Sequence, residues 1–406
     1  MAGWRYALSA AITDMSAAKK TGLEFSPRLE SLMHCRQRRI SSFHPTCHRR
    51  INELMGLSPA VEDLADSFPA LLFALATDFG TQEQRNRSLA MVAAGAPLRA
   101  IANALGVAWW LRKLPPSTFA APLPAFPNDP EFALRVSNTI PDEPSILPIW
   151  LARVGYAYEA CGPAFSLWLA RHHDLSITSE ELVILMAAWA WFSGKMEHPG
   201  CRLLRSPWHP NMSYRRARDE LGVWHQRARL AELLAHGVET PSLAEGTALG
   251  HTFTALRTVE DFLAESDAFD NCLDRYADHL LSNAAAIFSI RKGARRIGCV
   301  EIGLHPTEVS MPAIMQLKGA RNRQAPAEVW QATFAWLGSQ DLSAFPPHSS
   351  KRTSRLEARK SLWAPYLEFL TGTRHEKTFR RWLSGRARRR TIGRPVAPRR
   401  IRCDAA

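Results

Sequence analysis

The stretch AIFSIRKGARRIGCVEI, residues 286–302, decides the fold of the C-terminal half of this chain. Apolar and polar residues alternate at its two ends, residues 286–291 and 297–302, and a basic turn with Gly293 joins them. Such alternation around a short glycine-containing turn is typical of a β-hairpin. A third run, residues 313–318, predicts one more strand. The sequence therefore predicts a small antiparallel sheet.

A helix is predicted just before the hairpin, over residues 268–281, and it carries Asn271, Cys272 and Tyr276. Cys272 and Tyr276 are four residues apart, so they share one face of a helix. Free N–H groups and the helix dipole near a helix start lower the pKa of a thiol and favour an anion. Cys272 is therefore a candidate for nucleophilic chemistry.

Polar side chains of the predicted strands converge with this helix if the hairpin packs on it. Arginine pairs bidentately with phosphate, and glutamine and asparagine pair with base edges. The sequence therefore predicts one polar pocket, with phosphate or base recognition as its chemistry. The catalytic candidates are Cys272, Tyr276 and Glu301, and the binding candidates are Asn271, Ser289, Arg291, Gln316, Gly319 and Asn322.

Three interpretations of this polar cluster remain open. The first is thiol catalysis, which needs a base near the cysteine, and the closest histidines in sequence are His279 and His305, outside the motif positions. The second is a polar binding site or a hydrolytic site of another kind. The third is a buried polar network that holds the hairpin to the helix, since satisfied networks of this kind are common in small cores.

Four short motifs order these polar residues along the chain: Asn-Cys-x3-Tyr, Ser-Ile-Arg, an acidic residue on a strand, and Gln-x-x-Gly-x-x-Asn. They read Asn271, Cys272, Tyr276, Ser289, Ile290, Arg291, Glu301, Gln316, Gly319 and Asn322. Over residues 250–338 this pattern resembles the PcfJ-like proteins of conjugative plasmids and other mobile elements. Cys299 stands where that family has a small hydroxyl residue, so a role for the hydroxyl does not carry over. The resemblance implies a link to a mobile element and partners from it, and no established reaction.

The net charge of +13 is concentrated at the C-terminal end. Residues 374–402 hold twelve Lys or Arg and one acid, a net charge of +11, so the rest of the chain carries +2. Such a tail is predicted to be disordered alone and attracted to polyphosphate, with DNA or RNA bound without sequence preference. A membrane surface and a merely solvated tail are the alternatives. The expected phosphate contacts are Arg380, Arg381, Arg386, Arg388, Arg389, Arg390, Arg394, Arg399 and Arg400.

The whole chain predicts an α+β protein. A mainly helical N-terminal and middle region precedes a C-terminal module, in which a small antiparallel β-sheet packs on helices on one side, and a basic disordered tail follows. The best domain boundary is a segment with nine prolines, an extended connector or a surface loop. The predicted regions are the helical N-terminal region 1–114, the Pro-rich connector 115–148, the helical middle region 149–240, the α+β module 241–340, the linker and helix 341–373, and the basic tail 374–406.

Composition and motifs exclude several classes of protein. No apolar run approaches the roughly 20 residues that cross a bilayer, so no membrane span is expected. The start of the chain lacks a signal-peptide pattern, and seven scattered cysteines favour a reducing cytoplasm. No Walker loop, dinucleotide fingerprint or metalloprotease motif occurs, and no cofactor is expected. The group His34, Cys35, His44, Cys47 and His48 lacks zinc-site spacing, so no metal is expected.

A second recognisable segment is LRAIANALGV, residues 98–107. Its Ala-x3-Gly spacing is that of a helix-turn-helix, in which the small residue lets two helices approach and glycine makes the turn. The following Trp109, Trp110 and Leu111 suit burial better than contact with DNA. A packed helical hairpin and a DNA-reading element are therefore both open here.

Three functional hypotheses follow from these observations. The first is a nucleic-acid-associated accessory protein of a mobile element, held on its ligand by the tail. The second is an enzyme of unknown reaction, with a polar pocket built around Cys272, Arg291, Glu301 and Gln316. The third is a non-catalytic adaptor in a transfer or defence complex, which predicts an exposed apolar patch and no pocket.

Overall fold

The protein is described here by a computed structural model that covers residues 27–120, 122–172, 180–235, 243–276, 280, 285–305, 312–342 and 352–384. The chain divides into two compact units, residues 1–187 and 188–406. The boundary falls inside the helix Glu180–Ser193.

The described part of the first unit is built from helices. Their starts follow ordinary capping chemistry: Ser58 Oγ accepts a hydrogen bond from Val61 N–H at 3.3 Å, and Pro59 occupies the first helical position. Thr81 and Gln84 form a reciprocal capping box. The helices are α1 Pro27–Ser41, α2 His48–Met55, α3 Pro59–Ser67, α4 Pro69–Ala76, α5 Gln82–Ala93, α6 Leu98–Leu105, α7 Pro130–Ser137, α8 Leu147–Cys161, α9 Pro163–Arg171 and, at the boundary, α10 Glu180–Ser193.

The Pro-rich segment 115–148 belongs to the first unit and does not separate two units. Phe119, Leu123 and Phe126 lie between its prolines and are buried in the same core as the flanking helices. These apolar anchors hold the segment along the unit, so it is a packed surface segment and not an interdomain linker.

The segment with helix-turn-helix spacing forms a packed hairpin. Helix α6 ends at Gly106, whose φ of 80° is the left-handed conformation that glycine adopts without strain. A single 3-10 segment, Trp109–Lys113, follows, with Trp110 and Leu111 buried. A recognition helix is longer and more polar, so the packed helical hairpin is the observed alternative.

The second unit combines helices with the predicted sheet. An aromatic cluster, in which Trp224 and Trp363 lie with ring centroids 5.4 Å apart, joins its middle and C-terminal helices. The helices are α11 Pro199–Arg202, α12 Tyr214–Leu234, α13 Val259–Phe269, α14 Ala327–Gly338, α15 Arg352–Phe369 and α16 Glu376–Leu383.

The sheet is antiparallel, and its five strands lie in sequence order. The predicted hairpin is confirmed: Ser289 pairs with Cys299, and Ile287 pairs with Glu301. The third predicted strand is also present and pairs Gln316 with Glu301. The strands are β1 Gly246–Ala248, β2 His251–Ala255, β3 Ala286–Lys292, β4 Arg295–Leu304 and β5 Pro312–Lys318.

Helices cover both faces of the sheet. On one face, Trp336 of α14 stacks on Phe253 at 4.5 Å between ring centroids and contacts Phe288. The other face, which alternates with the first along each strand, carries Ile287 and packs against apolar side chains of α12 and α13. The prediction of helices on one side was therefore incomplete: β3 is buried on both sides, as its short apolar run allows.

The prediction of one helix over residues 268–281 is wrong for residues 268–276, and residues 277–279 and 281 lie outside the described residues. Helix α13 already ends at Phe269, because Asp270 adopts the left-handed conformation with φ 50° and ψ 49°. A short 3-10 turn, Leu273–Arg275, follows. Asn271 and Cys272 therefore lie in a loop between two helical segments.

Part of the predicted disordered tail is helical. Helix α16 lies inside the predicted tail 374–406 and buries Phe379, Trp382 and Leu383. The prediction of disorder rested on the charge of the segment, and these three apolar side chains anchor the helix despite that charge. Within the described ranges, no helix is long and apolar enough to cross a bilayer.

Candidate functional site

The loop that follows α13 presents Cys272 to solvent. Ser266 Oγ donates a hydrogen bond to the carbonyl oxygen of Asn271 at 2.8 Å, and Asn271 Oδ1 accepts from Leu273 N–H at 3.1 Å. Both bonds replace the helical pattern after Asp270, since asparagine and serine side chains readily hydrogen-bond nearby backbone. The loop is thereby fixed, with the thiol on its outer side.

Six of the nine predicted side chains line one narrow cavity next to this loop. Its volume is about 30 Å³, enough for one or two water molecules. The pairing of Glu301 with Gln316 brings β4 and β5 together at its floor. Cys299 and Lys318 contribute as well. The predicted residues at this cavity are Asn271, Cys272, Tyr276, Glu301, Gln316 and Asn322.

Tyr276 and Glu301 form a hydrogen-bonded pair inside the cavity. The Tyr276 hydroxyl donates to Glu301 Oε2 at 3.0 Å. Burial, together with the negative charge of Glu301, raises the pKa of Tyr276 above its ordinary value. Tyr276 is therefore a neutral hydrogen-bond donor at physiological pH, and it orients the buried Glu301 carboxylate.

Asn322 reaches Cys272 from the opposite wall. Its Nδ2 lies 3.8 Å from Cys272 Sγ. The loop that carries it turns sharply, with φ 57° at Asn322 and φ 54° at Arg321, and asparagine tolerates this conformation. Gly319 supplies the turn: its N–H donates to the carbonyl oxygen of Arg323 at 2.8 Å, and it does not line the cavity.

Ser289 and Arg291 lie outside the residues that line this cavity, in contrast to the predicted convergence. Arg291 is four residues along β3 from Ile287 at the cavity, about 13 Å at the rise of an extended strand. A register shift follows Ile290, and Arg291 Nε donates to Ser289 Oγ at 3.4 Å. The antiparallel strands thus carry the Ser-Ile-Arg motif away from Cys272.

Ser289 belongs to a second polar cluster, centred on Glu265 of α13. Glu265 Oε1 accepts hydrogen bonds from Ser289 Oγ at 2.6 Å and from Cys299 Sγ at 3.3 Å. Glu265 Oε2 accepts from Arg296 Nε at 2.7 Å. The side chain is only 1% exposed. This is a buried network that joins the hairpin to α13, and of the predicted site residues it includes Ser289.

Sequence reasoning missed Glu265, although a signal was present. Phe262, Glu265 and Phe269 follow one another at spacings of three and four, so the acid occupies the apolar stripe of its helix. An acid in such a stripe is buried with the helix and requires hydrogen-bond donors. The same signal applies to Arg227, which lies between Trp224 and Leu230 on the buried side of α12.

A wider polar cleft opens on the other side of Cys272. Its volume is about 310 Å³, and Asn271, Cys272 and Asn322 line both this cleft and the narrow cavity. Arg227, 4% exposed, donates to Asp274 Oδ2 at 2.9 Å and to Asp267 Oδ1 at 3.0 Å. The remaining lining residues are Arg205, Ser266, Asp270 and Arg275.

Cys272 is the accessible thiol of this site. Burial raises the pKa of Cys299, and the neighbouring Glu265 raises it further, so that thiol stays protonated. No histidine is among the described residues that line either cavity. In the same described part, no group of three His, Cys, Asp or Glu side chains is arranged to hold a metal ion.

The basic side chains predicted to contact phosphate are only partly within the described chain. Arg380 and Arg381 lie on α16 and are exposed. The others lie outside the described residues: Arg386, Arg388, Arg389, Arg390, Arg394, Arg399 and Arg400.

These features define an α+β protein whose second unit holds a five-stranded antiparallel sheet, helices on both faces, and a polar cavity beside an exposed cysteine. No protein-family model, no curated protein and no solved structure matches the chain.

Proposed function

We propose that this chain is a PcfJ-like accessory protein of a mobile genetic element, active in the cytoplasm and associated with DNA or RNA through its basic C-terminal segment. The observation that carries the proposal is the charge partition, with +11 of the +13 net charge in residues 374–402. Proteins of the same element are its expected protein partners.

The charge partition supports binding without sequence preference. Each Lys or Arg that neutralises a phosphate releases a condensed counterion, so affinity falls steeply as salt rises. The rest of the chain carries only +2, and it adds little long-range attraction of its own. Affinity and salt dependence therefore reside mainly in one segment.

Deletion of residues 385–406 tests this proposal, because it removes eight arginines and leaves every described residue in place. We expect the slope of log K against log salt to become shallower by up to about 7, since each phosphate contact on a duplex contributes about 0.9. Fluorescence anisotropy of a labelled duplex DNA and a labelled RNA at several salt concentrations measures it.

A matched pair of full-length variants controls for the deletion. Replacement of the eight arginines by lysine keeps the charge and should retain the slope, whereas replacement by glutamine should lose it. A deletion that leaves affinity and slope unchanged for both nucleic acids contradicts the proposal.

A second candidate function is an enzyme or receptor site for a polar ligand at Cys272. The observation that favours it is that polar side chains from four separate segments, the loop after α13, β4, β5 and the turn after β5, line one cavity. The adaptor hypothesis predicted no pocket, and it gives no reason for this arrangement.

Alkylation of Cys272 tests the second candidate in the intact protein. We expect iodoacetamide to label exposed Cys272 and Cys35 first and to spare Cys299, whose raised pKa and burial keep it unreactive. A nucleoside 5′-monophosphate in the cleft should slow labelling of Cys272 by several-fold. Mass spectrometry of the labelled peptides measures each rate, and Cys35 is the internal control. Equal protection of both cysteines, or of neither, contradicts a nucleotide site here.

A further inference from the structure

Helix α16 has two faces of opposite character. Its apolar face buries Phe379 and Trp382, which pack against Trp363 with ring centroids 5.8 and 5.1 Å apart. Arg359 makes a cation–π contact with the same helix, since its guanidinium lies 4.9 Å from the centroid of the Trp382 ring. The apolar face of α16 is therefore packed against α15.

The opposite face is a row of exposed cations. Arg380 and Arg381 lie three and four residues after Lys377 along the helix, and all three are exposed, as is Arg374 just before it. Arg380 pairs with Glu376 at 2.8 Å. Within the described part of the chain, no ion pair involves Lys377 or Arg381.

We propose that α16 is a rigid contact element for the phosphate backbone of double-stranded nucleic acid, with Lys377 and Arg381 as its principal contacts. This inference rests on the proposed function and adds a fixed surface to it. Cations on a helix that is already packed in the folded protein lose little conformational freedom on binding, whereas those of a disordered segment must be ordered first.

The buried apolar face of α16 favours nucleic acid over a membrane as its partner. A helix that lies on a bilayer inserts its apolar side chains between lipids. The apolar side chains of α16 already pack in the aromatic cluster with Trp363, so they are not free to insert. Only the charged row remains, and it suits a polyphosphate surface.

The exposed face of α16 favours a duplex over a single strand as its ligand. Proteins that hold single strands without sequence preference stack bases on aromatic side chains. From Arg374 to Ser384 both aromatic residues, Phe379 and Trp382, are buried. Contact with the backbone of a duplex, in which the bases stay stacked, is the mode that this face supports.

The test is the full-length double variant Lys377→Gln, Arg381→Gln. We expect the salt slope for a labelled duplex to fall by about 2 and affinity near physiological salt to fall by about tenfold. The matched control is Arg87→Gln, Arg99→Gln, which removes two exposed cations from the first unit and should change neither. Unchanged thermal unfolding of both variants shows that the substitutions leave the fold intact.

Two results overturn the inference. One is an unchanged slope for the α16 variant while deletion of residues 385–406 still reduces it, which leaves the proposed function standing. The other is a larger loss for a single-stranded oligonucleotide, or for vesicles of phosphatidylserine and phosphatidylcholine, than for the duplex. Absence of nucleic-acid binding by the unaltered full chain sinks the proposed function together with the inference.

Discussion

Replacement of Glu265 by alanine should lower the free energy of unfolding by about 2–4 kcal/mol, because a buried donor left without its acceptor costs about 1–3 kcal/mol, whereas the Arg296 side chain, 35% exposed, stays hydrated. Three donors lose their acceptor at once: Ser289 Oγ, Cys299 Sγ and Arg296 Nε. Ser289 and Cys299 are too deeply buried to bond to water instead, so each retains its desolvation cost. Urea denaturation followed by tryptophan fluorescence measures the loss.

Two variants of the same helix sharpen this prediction. Glu265→Gln keeps the shape of the side chain but turns an NH₂ group toward one of the donors, and we expect an intermediate loss. Glu260→Gln changes an exposed acid in the first turn of α13, where only a small dipole effect is at stake. A loss for Glu265→Ala no larger than that for Glu260→Gln would show that the cluster does not hold the hairpin.

The strands that could be predicted from sequence are those with a clear period of two. β3, β4 and β5 each contain a predicted run of six residues. The three residues of β1 are too few to show a period, and their placement depends on pairing with β2. Local pattern therefore predicts the longer strands, whereas the three-residue edge strand β1 requires tertiary information.

The predicted helix over 268–281 failed for a local reason. Asp270 adopts a left-handed conformation that ends α13, and aspartate does so at modest cost. Asp270 and Asn271 both favour turns and caps over helix interiors, so this pair is a local signal of the break. The consequence for the site is direct: Cys272 lies in a loop that faces two cavities, and it is not on the face of a continuous helix.

Some residues of the site could be predicted from the order and pairing of the strands, and others could not. Glu301 and Gln316 lie on adjacent strands, and a hairpin packed beside Cys272 brings both near the thiol. Arg291 was also predicted to line the pocket, but it lies farther along β3 and beyond a register shift, so it does not reach the cavity. Glu265 and Arg227 stand in the apolar stripes of their helices, outside the polar motifs from which the site was predicted.

Replacement of Trp363 by alanine should cost about 3–5 kcal/mol of stability, the usual range when a buried tryptophan is truncated. The ring is 1% exposed and lies edge-on to Trp224 and Trp382, at 5.4 and 5.1 Å between centroids. Its Nε1 donates to Glu232 Oε1 at 2.9 Å. Loss of this ring removes the surface on which α16 is seated.

The Trp363→Ala variant should therefore also change the proteolysis of α16 and the binding of nucleic acid. Once α16 loosens, trypsin should cleave after Lys377 and Arg381 several-fold faster than in the unaltered chain, because proteolysis requires local unfolding. The salt slope for duplex should also fall toward that of Lys377→Gln, Arg381→Gln, although no charge has been removed. Trp363→Phe, which keeps one aromatic ring in the cluster and loses the rest of the indole with its N–H, should show a smaller loss of stability and less acceleration of cleavage. Destabilisation without faster cleavage of α16 would mean that the helix is held by other contacts and that the aromatic cluster does not position its cations.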